Sequence, residues 1–234
     1  MLTPSKHNGT AILLFANSPE EDLNNKCIPN GNVLFSGLTK HTLSVIRQTE
    51  IPYFHFTEAE QEGNSFGERF VNAIQYIFNK GFDRVITIGN DTPQLRPADI
   101  LKADRELGPN NCILGPSKDG GFYLLGLHKS HFNSDEFLAL PWQTSRLLRN
   151  ISRLFQGLNI RVVKQRVLLD LDNLGDLNTI MAGCRTWSYQ LLKLLLSFLP
   201  TVQANSSLTP VFINHYFGIY HFNKGSPFNT TCLS

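Results

Sequence analysis

Cysteine is scarce in this chain of 234 residues, and it is scattered. Cys27, Cys112, Cys184 and Cys232 form no CxxC pair, which speaks against a thiolate zinc site. A reduced, cytosolic chain is the simplest reading. Excess charge of one sign is also missing: Lys and Arg number 21, Asp and Glu 19, for a net charge of +2. That balance offers no electrostatic case for nucleic-acid binding. Charged residues make up 17%, below the ~25% usual in soluble domains. With 41% hydrophobic residues and 17 Phe, the chain is too apolar for disorder. No repeat supports a coiled coil or a solenoid. Long hydrophobic runs are absent. Leu191 to Leu199 is shorter than the ~20 residues of a membrane span and contains Lys193, so no transmembrane segment is expected. It reads as a buried helix or a subunit contact, and the second would make a homo-oligomer. Met1 to Thr10 has no apolar stretch of the signal-peptide kind. GxGxxG, GxxxxGK[ST], GxSxG and HExxH are all missing, which argues against dinucleotide oxidoreductases, P-loop NTPases, α/β-hydrolases and zincins.

What is present alternates between two periods. Thr10 to Ala16, Ile51 to Thr57, Asp83 to Gly89, Cys112 to Gly115, Gly121 to Leu127 and Arg161 to Leu171 read as strands. Glu20 to Asn32 reads as a polar loop. Leu38 to Arg47, Ser65 to Lys80, Pro97 to Leu107, Thr144 to Phe155 and Leu174 to Ala182 carry helical spacing. Gly81 stops the second of these, and Asn173 is placed to cap the last. The alternation predicts an α/β sandwich with a mainly parallel sheet. At ~150 residues per domain the length suits one large domain with an appendage. The expected division is 1–184 for the α/β domain and 185–234 for a helical, aromatic appendage rich in His, Tyr and Phe.

In open α/β sheets, ligands bind beyond the carboxyl ends of the strands. The loops after the first, third and last strands are therefore candidates. They hold Asn17-Ser18-Pro19, Asn90-Asp91-Thr92-Pro93 and Asp170-Leu171-Asp172-Asn173. Asp91 follows a buried strand and is placed to hold Mg²⁺ or Mn²⁺, hard ions that take oxygen ligands; capping its own turn is the alternative role. Asp170 and Asp172, two apart, share a face if the chain stays extended. Asp172 lies nearer the loop and is expected to be the closer ligand. Lys118-Asp119-Gly120-Gly121 joins two strands: the glycines allow close backbone approach, and Asp119 could hold a sugar hydroxyl or act as a base. Arg69 could pair with phosphate. Trp142 is a lid or a core anchor.

Four segments occur in order: Ile88 to Leu95 (IGNDTPQL), Leu114 to Leu127 (LGPSKDGGFYLLGL), Pro141 to Thr144 (PWQT) and Asp170 to Leu177 (DLDNLGDL). The set resembles the bacterial GT-A-type glycosyltransferase family known as selenodomain-associated transferase 1, within the nucleotide-diphospho-sugar transferase superfamily. That family reads roughly IGtDsP, GPaxDGGyyLiGL, PWST and DvDTxxDL. Gln61 to Phe70 resembles a further segment of it, and the likeness runs roughly from Ala11 to Ala182. The resemblance implies a GT-A fold, with distant similarity to phospholactate guanylyltransferases and molybdenum-cofactor nucleotidyltransferases. It implies divalent metal at Asp91, a second metal contact at Asp172 rather than Asp170, and an acceptor or sugar by Asp119, Gly120 and Gly121. Asn17, Asn90, Thr92, Arg69 and Trp142 complete the expected substrate site. One departure stands out. Where the family has a basic K-x-P-x-x-G-x-V-K-T-R-L loop, this chain has Glu20, Glu21 and Asp22, and only Lys26 could meet phosphate.

The expected function is metal-dependent transfer from a nucleotide-activated donor, with glycosyl transfer from a nucleotide sugar to an unidentified acceptor as the expected reaction. The alternatives are a nucleotidyltransferase and a non-catalytic GT-A-like binding domain.

Overall fold

A computed structural model of the chain describes residues 9–25, 28, 30–183 and 188–199. At its centre β1 (Thr10–Phe15) is buried from Thr10 to Leu14. Its side chains alternate between two cores, Ala11 and Leu13 on one side and Ile12 and Leu14 on the other. A strand apolar on both faces needs cover on both faces. β2 (Tyr53–Phe56) and β3 (Arg84–Ile88) flank β1 in parallel. β5 (Phe122–His128) runs antiparallel to β3 and to β4 (Asn111–Pro116), and β6 (Arg161–Lys164) is parallel to β4. The order is β2-β1-β3-β5-β4-β6. β5 opposes its neighbours because its link from β4 is too short for a crossover.

Helices close both faces, as the alternation predicts. α3 (Phe66–Asn79), α5 (Ser134–Leu138) and α6 (Leu147–Gly157) cover one side through Phe70, Ile74, Phe137, Ile151 and Phe155. α2 (Gly31–Arg47) and α4 (Pro97–Glu106) cover the other through Val45, Ile46, Ile100 and Ala103. α7 (Leu174–Gly183) and α8 (Tyr189–Ser197) join α2 in a third cluster around Leu34, Phe35, Leu38, Leu177, Ile180, Leu191 and Leu195. The Leu191–Leu199 segment is thus helical through Ser197, with Leu191 and Leu195 buried. Residues 200–234, Lys26, Cys27, Cys184 and Cys232 lie outside the described residues. Cys112 is a core residue, its thiol pushed up to about 12 by burial.

Three expectations give way. The polar stretch after β1 is not a loop throughout: α1 (Pro19–Asn25) occupies it, and α2 begins already at Gly31. The signal for α1 was present in Ser-Pro-Glu-Glu-Asp. Ser18 Oγ accepts the Glu21 N–H at 3.2 Å, proline opens the helix, and three acids sit at its positive end. The helix after Trp142 starts at Leu147 rather than Thr144. Gln143 has φ 56, and the Thr144 hydroxyl donates back to the Pro141 carbonyl at 2.7 Å, so these residues form a turn. The last strand is short. Its ladder ends at Lys164, with an isolated bridge from Leu168 to Ser117.

Arg166 lies in that break. Its guanidinium donates to Asp99 Oδ1 at 3.2 Å, to Asp99 Oδ2 at 2.8 Å and to the Gln94 carbonyl at 2.7 Å. Those bonds tie the segment to the first turn of α4 and to the residues before it, while the Gln165 and Leu168 N–H groups still donate to the Leu114 and Pro116 carbonyls. Burial pushes the Asp99 carboxyl up, but Arg166 and Arg96 more than reverse this, and it sits below the usual carboxylate range. A depressed carboxyl adds stability above the unfolded value of ~4, and that stability is lost as pH falls through the folded value. Arg166→Met should therefore lower stability at pH 7 by about 1–2 kcal/mol, discounted for a partly exposed guanidinium. Thermal melts of the two proteins should differ at neutral pH and converge in acid. A gap independent of pH would deny the ion pair its role.

Candidate functional site

The carboxyl ends of β1 and β3 open toward one edge of the molecule, and the segment after β6 comes back to meet them. The Leu171 N–H donates to the Asp91 carbonyl at 2.8 Å, pinning the Asp170–Asp172 segment to the turn after β3. The Thr92 hydroxyl donates to Asp170 Oδ1 at 2.7 Å. From the link between β4 and β5, Asp119 joins the group. Its Oδ1 accepts the Ser117 hydroxyl at 2.7 Å and the Gly121 N–H at 2.9 Å.

These contacts bring three carboxylates, Asp91, Asp119 and Asp170, into one electrostatic neighbourhood. The Asp170 carboxyl is raised well above its usual range, first by burial, then by the charge of Asp91, and further by that of Asp119. Hydrogen bonds from Thr92 and Ser117 offset only part of this. Like charges gathered together destabilise a fold, and such clusters concentrate at functional sites. A divalent cation is one chemistry that would relieve them. Among the described residues, no three His, Cys, Asp or Glu side chains come together as a metal-ligand group. Mg²⁺ and Mn²⁺ are nonetheless met by one or two carboxylates where phosphate oxygens complete the shell. An all-oxygen, net-negative site of this kind suits them.

In the last motif, the Asp170 carboxyl feels the charges of Asp91 and Asp119. Asp172 is exposed at the entry to α7, where its N–H and that of Asn173 donate to Asp176 Oδ2 at 3.2 and 3.0 Å. Strand alternation does not apply there because the ladder has already ended. Asn173 does cap α7, its Oδ1 accepting the Gly175 N–H at 2.8 Å.

Two expected substrate contacts are turned into the protein. Asn90 is buried, and its amide donates to Thr39 Oγ1 at 2.9 Å and to Asp22 Oδ2 at 3.3 Å. It ties α1 and α2 to the turn that carries Asp91. Asp22, which looked like a charge opposed to phosphate, is itself buried in this network. Trp142 is a core anchor rather than a lid: Nε1–H donates to the Phe137 carbonyl at 2.8 Å, and the ring packs with Phe66, Phe70 and Phe122. Gly67 makes the room, since a Cβ there would lie 2.5 Å from Trp142 Cδ1. Arg69 lies in the first turns of α3. Among the described residues, no carboxylate or side-chain hydrogen-bonding group meets its guanidinium. Asn17 is half-buried directly after β1, next to Ser18, whose N–H donates to Glu58 Oε2 at 2.7 Å.

Gly120 and Gly121 shape the loop that presents Asp119. Gly120 has φ 96, a conformation that suits glycine, and a Cβ there would run into the Ser145 carbonyl. Its own carbonyl accepts the Leu148 N–H at 3.0 Å, so the loop is seated on the start of α6. Ser117, Thr39 and Asp22 are the supporting residues that sequence reasoning passed over. Only Ser117, two before an Asp in a Gly-rich turn, carried a local signal.

A family model described as an uncharacterized protein conserved in bacteria (DUF2064) matches residues 41–144. No curated protein matches the sequence. Among solved structures, a provisionally named nucleotide-diphospho-sugar transferase from Desulfovibrio desulfuricans G20 superposes with a TM-score of 0.67. It is 21% identical, and the match covers 82% of this chain and 98% of that one. Rv0371c from Mycobacterium tuberculosis H37Rv matches at 10% identity and a TM-score of 0.45, over 75% of this chain and 98% of that one. The architecture is the nucleotide-diphospho-sugar transferase fold of GT-A type, a three-layer α/β sandwich on a mainly parallel sheet.

Proposed function

We propose that the chain is a metal-dependent transferase using a nucleotide-activated donor, and that the reaction is glycosyl transfer from a nucleotide sugar. The observation that supports this is the like-charge cluster of Asp91, Asp119 and Asp170 at the sheet's carboxyl edge. Asp91 and Asp170 would hold Mg²⁺ or Mn²⁺, with Asp172 nearby in the same loop. A cation bound there supplies charge neutralisation for the leaving phosphate. The residues of the chain do the rest. Thr92 orients Asp170, and Asn90 holds the Asp91 turn against α1 and α2. Ser117 and Gly121 occupy Asp119 Oδ1, so Oδ2 is the oxygen left to accept the proton or hydrogen bond of an acceptor hydroxyl. Gly120 and Gly121 allow the acceptor to approach the backbone. Asn17, Arg69 and Lys26 are the groups proposed to meet the donor's nucleotide and phosphates. We assign this chemistry to residues 1–184 and treat 185–234 as an appendage.

A second reading, a GT-A-like domain that binds a ligand without turning it over, is favoured by the acidic helix α1 where a basic loop would face phosphate. A thermal-shift panel of nucleotides and nucleotide sugars, each with Mg²⁺, Mn²⁺ or EDTA, separates the two. A ligand at ~100 times its Kd adds ~2.7 kcal/mol of stability. A shift that needs both a nucleotide and a metal, followed by donor turnover on mixing with candidate acceptors, is expected. Metal-independent binding, or none, would end the transferase reading.

A further inference from the structure

α8 is apolar on two opposite faces. Its inner face places Leu191 and Leu195 in the cluster with α2 and α7, and Leu194 meets Gly37 so closely that a Cβ there has no room. Its outer face carries Tyr189, Leu192 and Leu196 at helical spacing. Tyr189 is 78% and Leu196 49% exposed. With Leu192 and Lys193 they line a shallow hollow of about 240 Å³. Burial of an apolar face stabilises a helix, and among the described residues this second face of α8 stays exposed at Tyr189 and Leu196.

We propose that this chain's own residues 201–234 cover that face. Two observations choose this occupant over others. The segment begins four residues after the end of α8 at Ser197, so it meets the face at the high effective concentration of a short tether. Its composition is that of a segment that seeks burial: Val211, Phe212, Ile213, Tyr216, Phe217, Ile219, Tyr220 and Phe222 fall within twelve positions. Lys224 is its only Lys or Arg, and it has no Asp or Glu. Such a stretch lacks the charge that keeps unfolded chain in water. Lys193 is the one charged group at the hollow and can keep its ammonium at the rim while its stem packs beneath aromatic rings. The inference is independent of the transferase reading, since none of the proposed site residues lies on α8.

The test uses the full chain with p-benzoylphenylalanine in place of Leu196, prepared as an equal mixture of ¹⁴N and ¹⁵N protein. After irradiation, peptide mapping should join position 196 to peptides from 201–234, in isotopically unmixed products whose yield does not change with protein concentration. Mixed-isotope products would assign the face to a second copy and overturn the proposal. So would cross-links that avoid 201–234, or their absence. A second measurement leaves α8 untouched. Phe217→Asp combined with Tyr220→Asp should raise the iodination rate of Tyr189 several-fold, and an unchanged rate would overturn the proposal equally.

Discussion

Asp91→Asn should abolish metal-dependent nucleotide binding while leaving the protein folded. The Leu171 N–H donates to the main-chain carbonyl of residue 91, so that anchor survives the substitution. What is lost is one of the carboxylates that would bind a hard cation. Removing groups that merely orient metal ligands costs ~10–100-fold in affinity, so a direct ligand should cost at least ~100-fold. Titration of a nucleotide in the presence of Mn²⁺ is the measurement. Undiminished binding would move the metal away from Asp91.

The same variant carries a stability signature. The folded protein raises the Asp170 carboxyl, partly through the charge of Asp91. For a raised carboxyl, stability is fully present below the unfolded value of ~4 and is lost as pH rises through the folded value. At neutral pH the cluster therefore costs stability, and Asp91→Asn removes part of that cost. Its Tm should equal the parent's in acid and exceed it at pH 7. Loss of ligand binding together with a gain in Tm is not what a misfolded variant produces. A lower Tm at neutral pH would mean that Asp91 is serving the fold, as a turn cap does.

Gly120→Ala should disturb both fold and site. The alanine would hold a left-handed conformation at a cost of ~1–2 kcal/mol. Its Cβ would also meet the Ser145 carbonyl, a backbone atom that cannot rotate away. Overpacking of this kind costs ~1–3 kcal/mol. Together they amount to about 2–5 kcal/mol, and at ~2–4 °C per kcal/mol for a chain of this size Tm should fall by roughly 4–20 °C. If the loop instead relaxes, Asp119 moves with it, and acceptor-dependent turnover falls while the nucleotide shift in Tm persists. A variant with parental Tm and parental turnover would show that the seating of the loop on α6 is immaterial.

Much of this protein was legible in its sequence because the signals were local. The continuous apolar runs at Thr10–Phe15 and Arg84–Ile88 could only be strands covered on both faces. The helical stripe from Phe66 to Ile77 and the stop at Gly81 lie within one segment. With those elements in hand, the strand-end rule pointed to the loops holding Asp91 and Asp170. The order of four short motifs brought in the GT-A fold. Even α1 is written locally, in Ser-Pro-Glu-Glu-Asp, ahead of the Pro29, Asn30 and Gly31 that mark a loop.

Tertiary structure decided what depended on distant partners. Asp170 meets the turn after β3 because Thr92, 78 positions away, donates to its carboxylate and Leu171 donates to the Asp91 carbonyl. Asn90 turned inward because Asp22 and Thr39, from two other helices, offered acceptors within reach. Trp142 became an anchor because Gly67 left a space its ring could fill. Periodicity and capping reach only a few residues along the chain, so they determine elements. The direction of a side chain between two chemically acceptable surroundings is a comparison of burial and hydrogen bonds across the whole fold, and it exists only once the layers have packed.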